Sequence, residues 1–454
     1  MRDYYKKSGE QEAILIRDAR YVVTEAGIVE NSSLLVEDRR IKKIGKEKAL
    51  RGIYKGRIET VDAKNCIVMP GLVNAHAHMG MGLLKGYAED MPLTEWLKNK
   101  IWPAEAKLKP EHIELGAALS AAEMLMSGTT SVVSMYFYDK KGSEADAVLN
   151  SGMRGVLGHT VFDWTKEQAI KKTREFVRKF HGKDAGRIRI ATSPHSAYNC
   201  SPKLLKELEQ ERNELNEEYG HAHRIINTLH VARSGEEARE ISRKYNVYTR
   251  NGVAAYLDKL GVLKDTIGAD CTYVSERDLI SMRSNGASIA SCPLSSLKLG
   301  SGIGSISRAI TKGVNVGLGT EGSASGNLLN MFEVMKFASL LQKGINKDPT
   351  LMNARLSFDA ATVNGARAMK QQNEIGTIKI GKKADIVIMS IESPHAFPIY
   401  DPYNYLVYAS KNTDIKDVIV DGRLVVRDRK LLTLDLRRIN KAVMAAVKEI
   451  GLYA

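Results

Sequence analysis

Between residues 66 and 321 short apolar runs alternate with helix-patterned segments, and this rhythm limits the possible folds more than any other feature of the chain. Eight runs read as core strands: 66–78 (CIVMPGLVNAHAH), 130–136, 154–161, 187–196, 225–233, 270–274, 287–293 and 314–321. Segments such as 111–128 and 201–220 lie between them, the second opening on a Ser-Pro helix-start signal. Strand–helix alternation implies a parallel sheet, because each crossover returns the chain to run in the same direction. Eight such units predict an α/β fold, a (β/α)8 TIM barrel with its chemistry at the C-terminal ends of the strands.

The flanks have a different texture. AILIRDARYVVT, SLLVEDRRIKKIG and RIETVDA alternate apolar and polar positions, and the pattern returns in 376–390 and 415–430. We therefore expect residues 1–65 to form the first half of a small β-sandwich and 66–375 the barrel. Residues 376–454 then supply the other half of the sandwich, ending in an amphipathic helix at LRRINKAVMAAVKEIG.

Composition removes several function classes. The 454 residues carry 67 Lys+Arg against 53 Asp+Glu, a net charge of +14, which raises nucleic acid or an anionic membrane as a partner. The basic residues are scattered and no stripe of them interleaves with aromatics, so no nucleic-acid or membrane partner is expected. Four cysteines without a C-x-x-C exclude a disulfide scaffold and a cysteine-rich zinc module. The N-terminus has no signal-peptide core and no apolar run approaches membrane-spanning length, so a cytoplasmic location is expected.

Several candidate site residues fall on predicted strand ends. His76 and His78 are two apart on a strand, so they face the same side, either to ligate a metal or to hydrogen-bond within a core. His195 ends the fourth run, His230 the fifth, and Glu321 the eighth. His195 or His230 alone is more often a satisfied core or rim histidine than a ligand. Their coincidence at one end of a barrel favours a divalent zinc or iron site.

With PGLVNAHAH are found LLKGYAEDMPLTEWLKNKIWPAEAKL (83–108), SPHSAYNCSPKLL, SCPLSSLKLGSGI and VGLGTEGSASGNLLNMFEVMKFASLLQKG. Together these resemble the amidohydrolase superfamily, in the branch of S-adenosylhomocysteine/methylthioadenosine deaminases, guanine deaminases and triazine chlorohydrolases. The resemblance implies a single Zn²⁺ or Fe²⁺ that activates water against a purine-like or triazine ring. It makes His76, His78 and His230 metal ligands, with Glu321 as the fourth, and His195 a substrate contact. Glu95 and Trp96 match a segment near the substrate, although Trp96 could equally pack beneath a loop.

Three positions depart from the family pattern. Arg233 stands where a proton-shuttling Glu is usual, Asp270 where a His polarises the leaving group, and Glu321 where an Asp binds metal. Arg233 cannot accept a proton. It is expected instead to pair with Asp270, Glu321 or both. Two readings follow. One is an active hydrolase with altered chemistry, in which Glu321 or Asp270 is the general base beside Arg233. The other is an impaired paralogue, with or without metal, that binds a nucleoside-like ligand or partners an active relative. A homo-oligomer, dimer or tetramer, is expected with either.

Overall fold

The computed structural model describes residues 3–6, 13–139, 141–220 and 223–452. Eight parallel strand positions form the barrel: Leu72–His78, Thr129–Tyr136, Arg154–Val161, Ile188–Ile190 continued by Ser193–Pro194, Asn227–Val231, Thr266–Asp270, Ser288–Ser291, and Asn315–Leu318 continued by Glu321–Gly322. They are numbered one to eight below. Neighbours pair in sequence order. The ring closes where Thr192 and Ser196 bridge Asn227 and His230, and where Glu321 pairs with Ala77.

Two expected strands shift. The run 66–78 divides at Gly71: Cys66–Pro70 pairs with Ile386–Ser390 of the C-terminal segment, and only Leu72–His78 enters the barrel. A Cβ on Gly71 would lie 2.1 Å from Thr130 Oγ1, so only glycine fits where the chain passes between the two sheets. Strand six is Thr266–Asp270 rather than 270–274. Asp270 and Cys271 adopt φ of +68° and +51°, which ends the extended run where the sequence pattern begins it.

The terminal segments share one nine-stranded sheet, running from Lys430–Leu431 through Cys66–Pro70 to Arg40–Gly45. Its strands obey the two-residue period. Cys66, Val68, Ile386 and Ile388 face a core enclosed by the sheet itself, together with Ile14, Leu34 and Ile419. Ile67, Met69, Val387 and Met389 face the other way, onto the main core with the barrel helix Pro110–Met126. The helix beginning at Pro202 is capped as its sequence signals, with Ser201 Oγ accepting from Leu204 N–H. Among the described residues no helix is long and apolar enough to cross a membrane.

Beneath the barrel, Arg154 at the start of strand three is buried against the terminal sheet. Its Nε and Nη2 donate to Asp385 at 2.8 and 3.0 Å, and Nη2 also donates to Asp421 at 3.2 Å. This fixed base leaves the opposite end to carry the site.

Candidate active site

The mouth of the barrel is furnished by the last residues of its strands. His76 and His78 project to the same side of strand one, with ring centroids 4.9 Å apart. His230, ending strand five, brings its ring to 4.9 Å from His76 and 5.5 Å from His78. The Glu321 carboxylate enters the centre of the three. Its oxygens lie 3.2 Å from His76 Nε2, 3.3 Å from His78 Nε2 and 3.6 Å from His230 Nδ1. The expected four-residue set is thus gathered at one point.

The backbone around this cluster is strained. Ala232, Asp270, Cys271 and Glu321, at the ends of strands five, six and eight, all have positive φ. Such conformations cost on the order of 1–3 kcal/mol each in non-glycine residues and persist only where the surroundings enforce them.

His78 Nδ1 donates to Met135 O at 2.6 Å, so Nε2 carries no proton in the neutral ring. Its lone pair then faces the Glu321 carboxylate, an arrangement that requires a positive charge between them, a proton or a metal ion. Burial lowers the His78 pKa, but Glu321 and the Met135 carbonyl outweigh it and lift the ring to about 9. Burial prevails at His76, which falls to about 4 despite Glu321. The donor set also fits a metal by size. Ligands held at ~2.1 Å in a tetrahedron stand ~3.4 Å apart, matching the histidine-to-Glu321 separations. Among the described residues the donor atoms of His76, His78, His230 and Glu321 all lie within 4.8 Å of one another.

Asp270 and Arg233 complete the rim. Asp270 Oδ2 lies 2.8 Å from His230 Nδ1. Arg233 stands between the carboxylates, with Nε 3.8 Å from Asp270 and Nη2 4.0 Å from Glu321. It contacts both, at ion-pair distance rather than through a bidentate hydrogen bond. Burial opposes ionisation of both carboxylates, but Arg233 beside them, with the histidine contacts, holds Asp270 below its usual value and Glu321 well below. Arg233 is itself held charged by the same pair.

Above the cluster opens a cavity of about 260 Å³ lined mainly by aromatic rings. His195 lies in its wall, 5.0 Å from the His230 ring and stacked on Phe162. Its Nδ1 meets Ser196 Oγ and the Asn199 amide, and accepting from them leaves the proton on Nε2. Trp96 is also in the wall, anchored by a hydrogen bond from Nε1 to Ala88 O, so it both packs under a loop and faces the cavity. Glu95 does not. It is exposed and absent from the lining, because successive helical residues point ~100° apart and burial of Trp96 turns Glu95 outward.

Sequence reasoning missed Glu105, Tyr136, Tyr138, Phe162 and Trp164, all of which line the cavity. Burial raises the Glu105 carboxyl to about 7, against the lowering effect of Tyr136. The available signal was position: Tyr136 ends strand two, and Phe137–Tyr138 and Phe162–Trp164 directly follow strands two and three, where a barrel builds its site.

A family model for the amidohydrolase family matches residues 67–425. The chain belongs to the amidohydrolase family. It is 37% identical over 446 residues to a 5'-deoxyadenosine deaminase of Methanosarcina acetivorans, covering 96% of this chain and 98% of that relative. It is likewise 37% identical over 425 residues to a 5-methylthioadenosine/S-adenosylhomocysteine deaminase of Desulforudis audaxviator, covering 93% and 95%. Among solved structures it resembles an adenosine deaminase from Xanthomonas campestris with bound zinc, at TM-score 0.87 and 29% identity over 96% of this chain and 98% of that one. The fold is shared with an atrazine chlorohydrolase from Arthrobacter aurescens complexed with zinc, at TM-score 0.86 and 21% identity over 96% and 100%. Membership in this family and the gathered three-histidine, one-carboxylate set together support a divalent metal centre.

Proposed function

We propose that this amidohydrolase removes the exocyclic amine of an adenine nucleoside, releasing ammonia, with a zinc-like or iron-like ion held by His76, His78, His230 and Glu321. The observation that carries the reading is a complete donor set at the floor of an aromatic cavity sized for a flat ring. The names of the relatives supply the nucleoside class. A divalent ion there supplies Lewis acidity and water acidified towards neutral pH.

The protein's own groups account for the rest. Glu321, kept ionised, is the proton acceptor beside the attacked carbon. Arg233 cannot shuttle a proton, but its guanidinium lines the cavity and stabilises negative charge that develops on a ring nitrogen. His195 Nε2–H offers a second donor from the wall. Asp270 pairs with Arg233 and keeps it in place. In balance, the ring-bound amine is exchanged for the oxygen of water and leaves as ammonia.

A second reading, a nucleoside-binding protein with little turnover, draws on the same Arg233. Its cation offsets one of the two carboxylate charges that would attract a metal, and Asp270 competes with metal for His230 Nδ1. The deciding experiment supplies 5'-deoxyadenosine to metal-supplemented protein and measures ammonia, with His76→Ala as the blank. Ammonia release abolished in the variant is the expected result. Metal-loaded protein that binds nucleosides but releases none supports the second reading.

A further inference from the structure

The active-site cavity has a neighbour. A second cavity of about 330 Å³ is lined by Phe137, Trp164, Thr165, Glu167, Gln168 and Lys172. Phe137 and Trp164 line both spaces. The first is walled mainly by rings, whereas the second, beyond the rings of Phe137, Trp164 and His159, is bordered by the polar side chains of Thr165, Glu167, Gln168 and Lys172, so the two would hold chemically different parts of one ligand.

Trp164 is built to divide them. Its indole stacks on Phe162 at 4.2 Å and 21°, and Phe162 stacks on His195 at 4.6 Å and 24°. The partition is therefore the outermost of three layered rings that start at the ligand-facing histidine. The backbone on either side is fixed. Asp163 accepts from Ser201 N–H at 2.7 Å and from the Tyr245 hydroxyl at 2.8 Å, and Thr165 Oγ1 caps Phe162 N–H at 3.1 Å. Trp164 is 63% exposed. A fixed turn thus carries a large side chain whose removal would cost little core packing.

We propose that Trp164 is the specificity-determining partition of this site: it confines the ligand to the aromatic cavity and excludes long polar substituents from the chamber beyond. This rests on the nucleoside reading above. A short or apolar substituent ends against the indole, whereas a longer polar chain needs the space on its far side.

The test is equilibrium binding, independent of turnover, of 5'-deoxyadenosine and S-adenosylhomocysteine to the wild-type protein, Trp164→Ala and Trp164→Phe. The wild-type chain is expected to favour the short ligand. Trp164→Ala should shift the affinity ratio towards the long ligand by about tenfold or more. Trp164→Phe, which keeps a stacked ring, should stay near the wild-type ratio. An unchanged ratio in Trp164→Ala, with both ligands still bound, overturns the partition alone. Failure of every variant to bind either nucleoside overturns the nucleoside reading and the partition with it.

Discussion

Arg233 shows how one residue redirects a site. A guanidinium stays charged in any protein environment, so its place between Asp270 and Glu321 locks both carboxylates in the ionised form. Below it, Glu237 accepts the Arg233 N–H at 2.8 Å and is fully buried. Burial raises its carboxyl to about 8, against the lowering hydrogen bonds from Arg233 and Ala232. The folded state therefore holds this proton more tightly than the unfolded state, where an ordinary glutamate titrates near ~4.3. Its contribution to stability is complete below that value and is lost as pH rises through about 8. Glu237→Gln should flatten the decline of stability between about pH 5 and 8, by up to the order of a few kcal/mol, as read from urea denaturation across that range. At this scale the gathering of the histidines and Glu321 was legible because a metal site would need fixed residue types at strand ends. Glu95 was not, since a motif of adjacent residues does not say which one a helix turns inward.

The strands and helices were legible to the extent that their periodicity was unbroken. Strand three matches its expected span of 154–161, and the helix from Pro202 starts where Ser201 caps it. The failures lie where the backbone departs from a period. Gly71 divides one apolar run between two sheets, and the left-handed residues Asp270 and Cys271 end a strand where apolar content continues. The aromatic walls escaped because loops after strands two and three carry no period. The link between the terminal sheet and the barrel was also hidden, since Arg154 and its partners Asp385 and Asp421 are far apart in sequence. Removing one member of a buried charge cluster leaves the others uncompensated. Arg154→Ala should therefore cost about 3–5 kcal/mol in chemical denaturation. Because this cluster lies at the opposite end from the site, the variant should keep its metal affinity while folded.

For the whole molecule, the net charge of +14 has little bearing on the site. Among the described residues, Arg233 is the only Arg or Lys lining the aromatic cavity. What governs the molecule is a rigid barrel that converges four donors from strands one, five and eight. A ligand that binds only the folded state stabilises it by mass action, so chelation should lower the melting temperature and zinc or iron should restore it. The most direct measurement is the metal content of the purified protein by elemental analysis, after growth in supplemented medium. About one equivalent of zinc or iron per chain is expected, lost on His76→Ala. Less than roughly a tenth of an equivalent in the wild-type protein would contradict it.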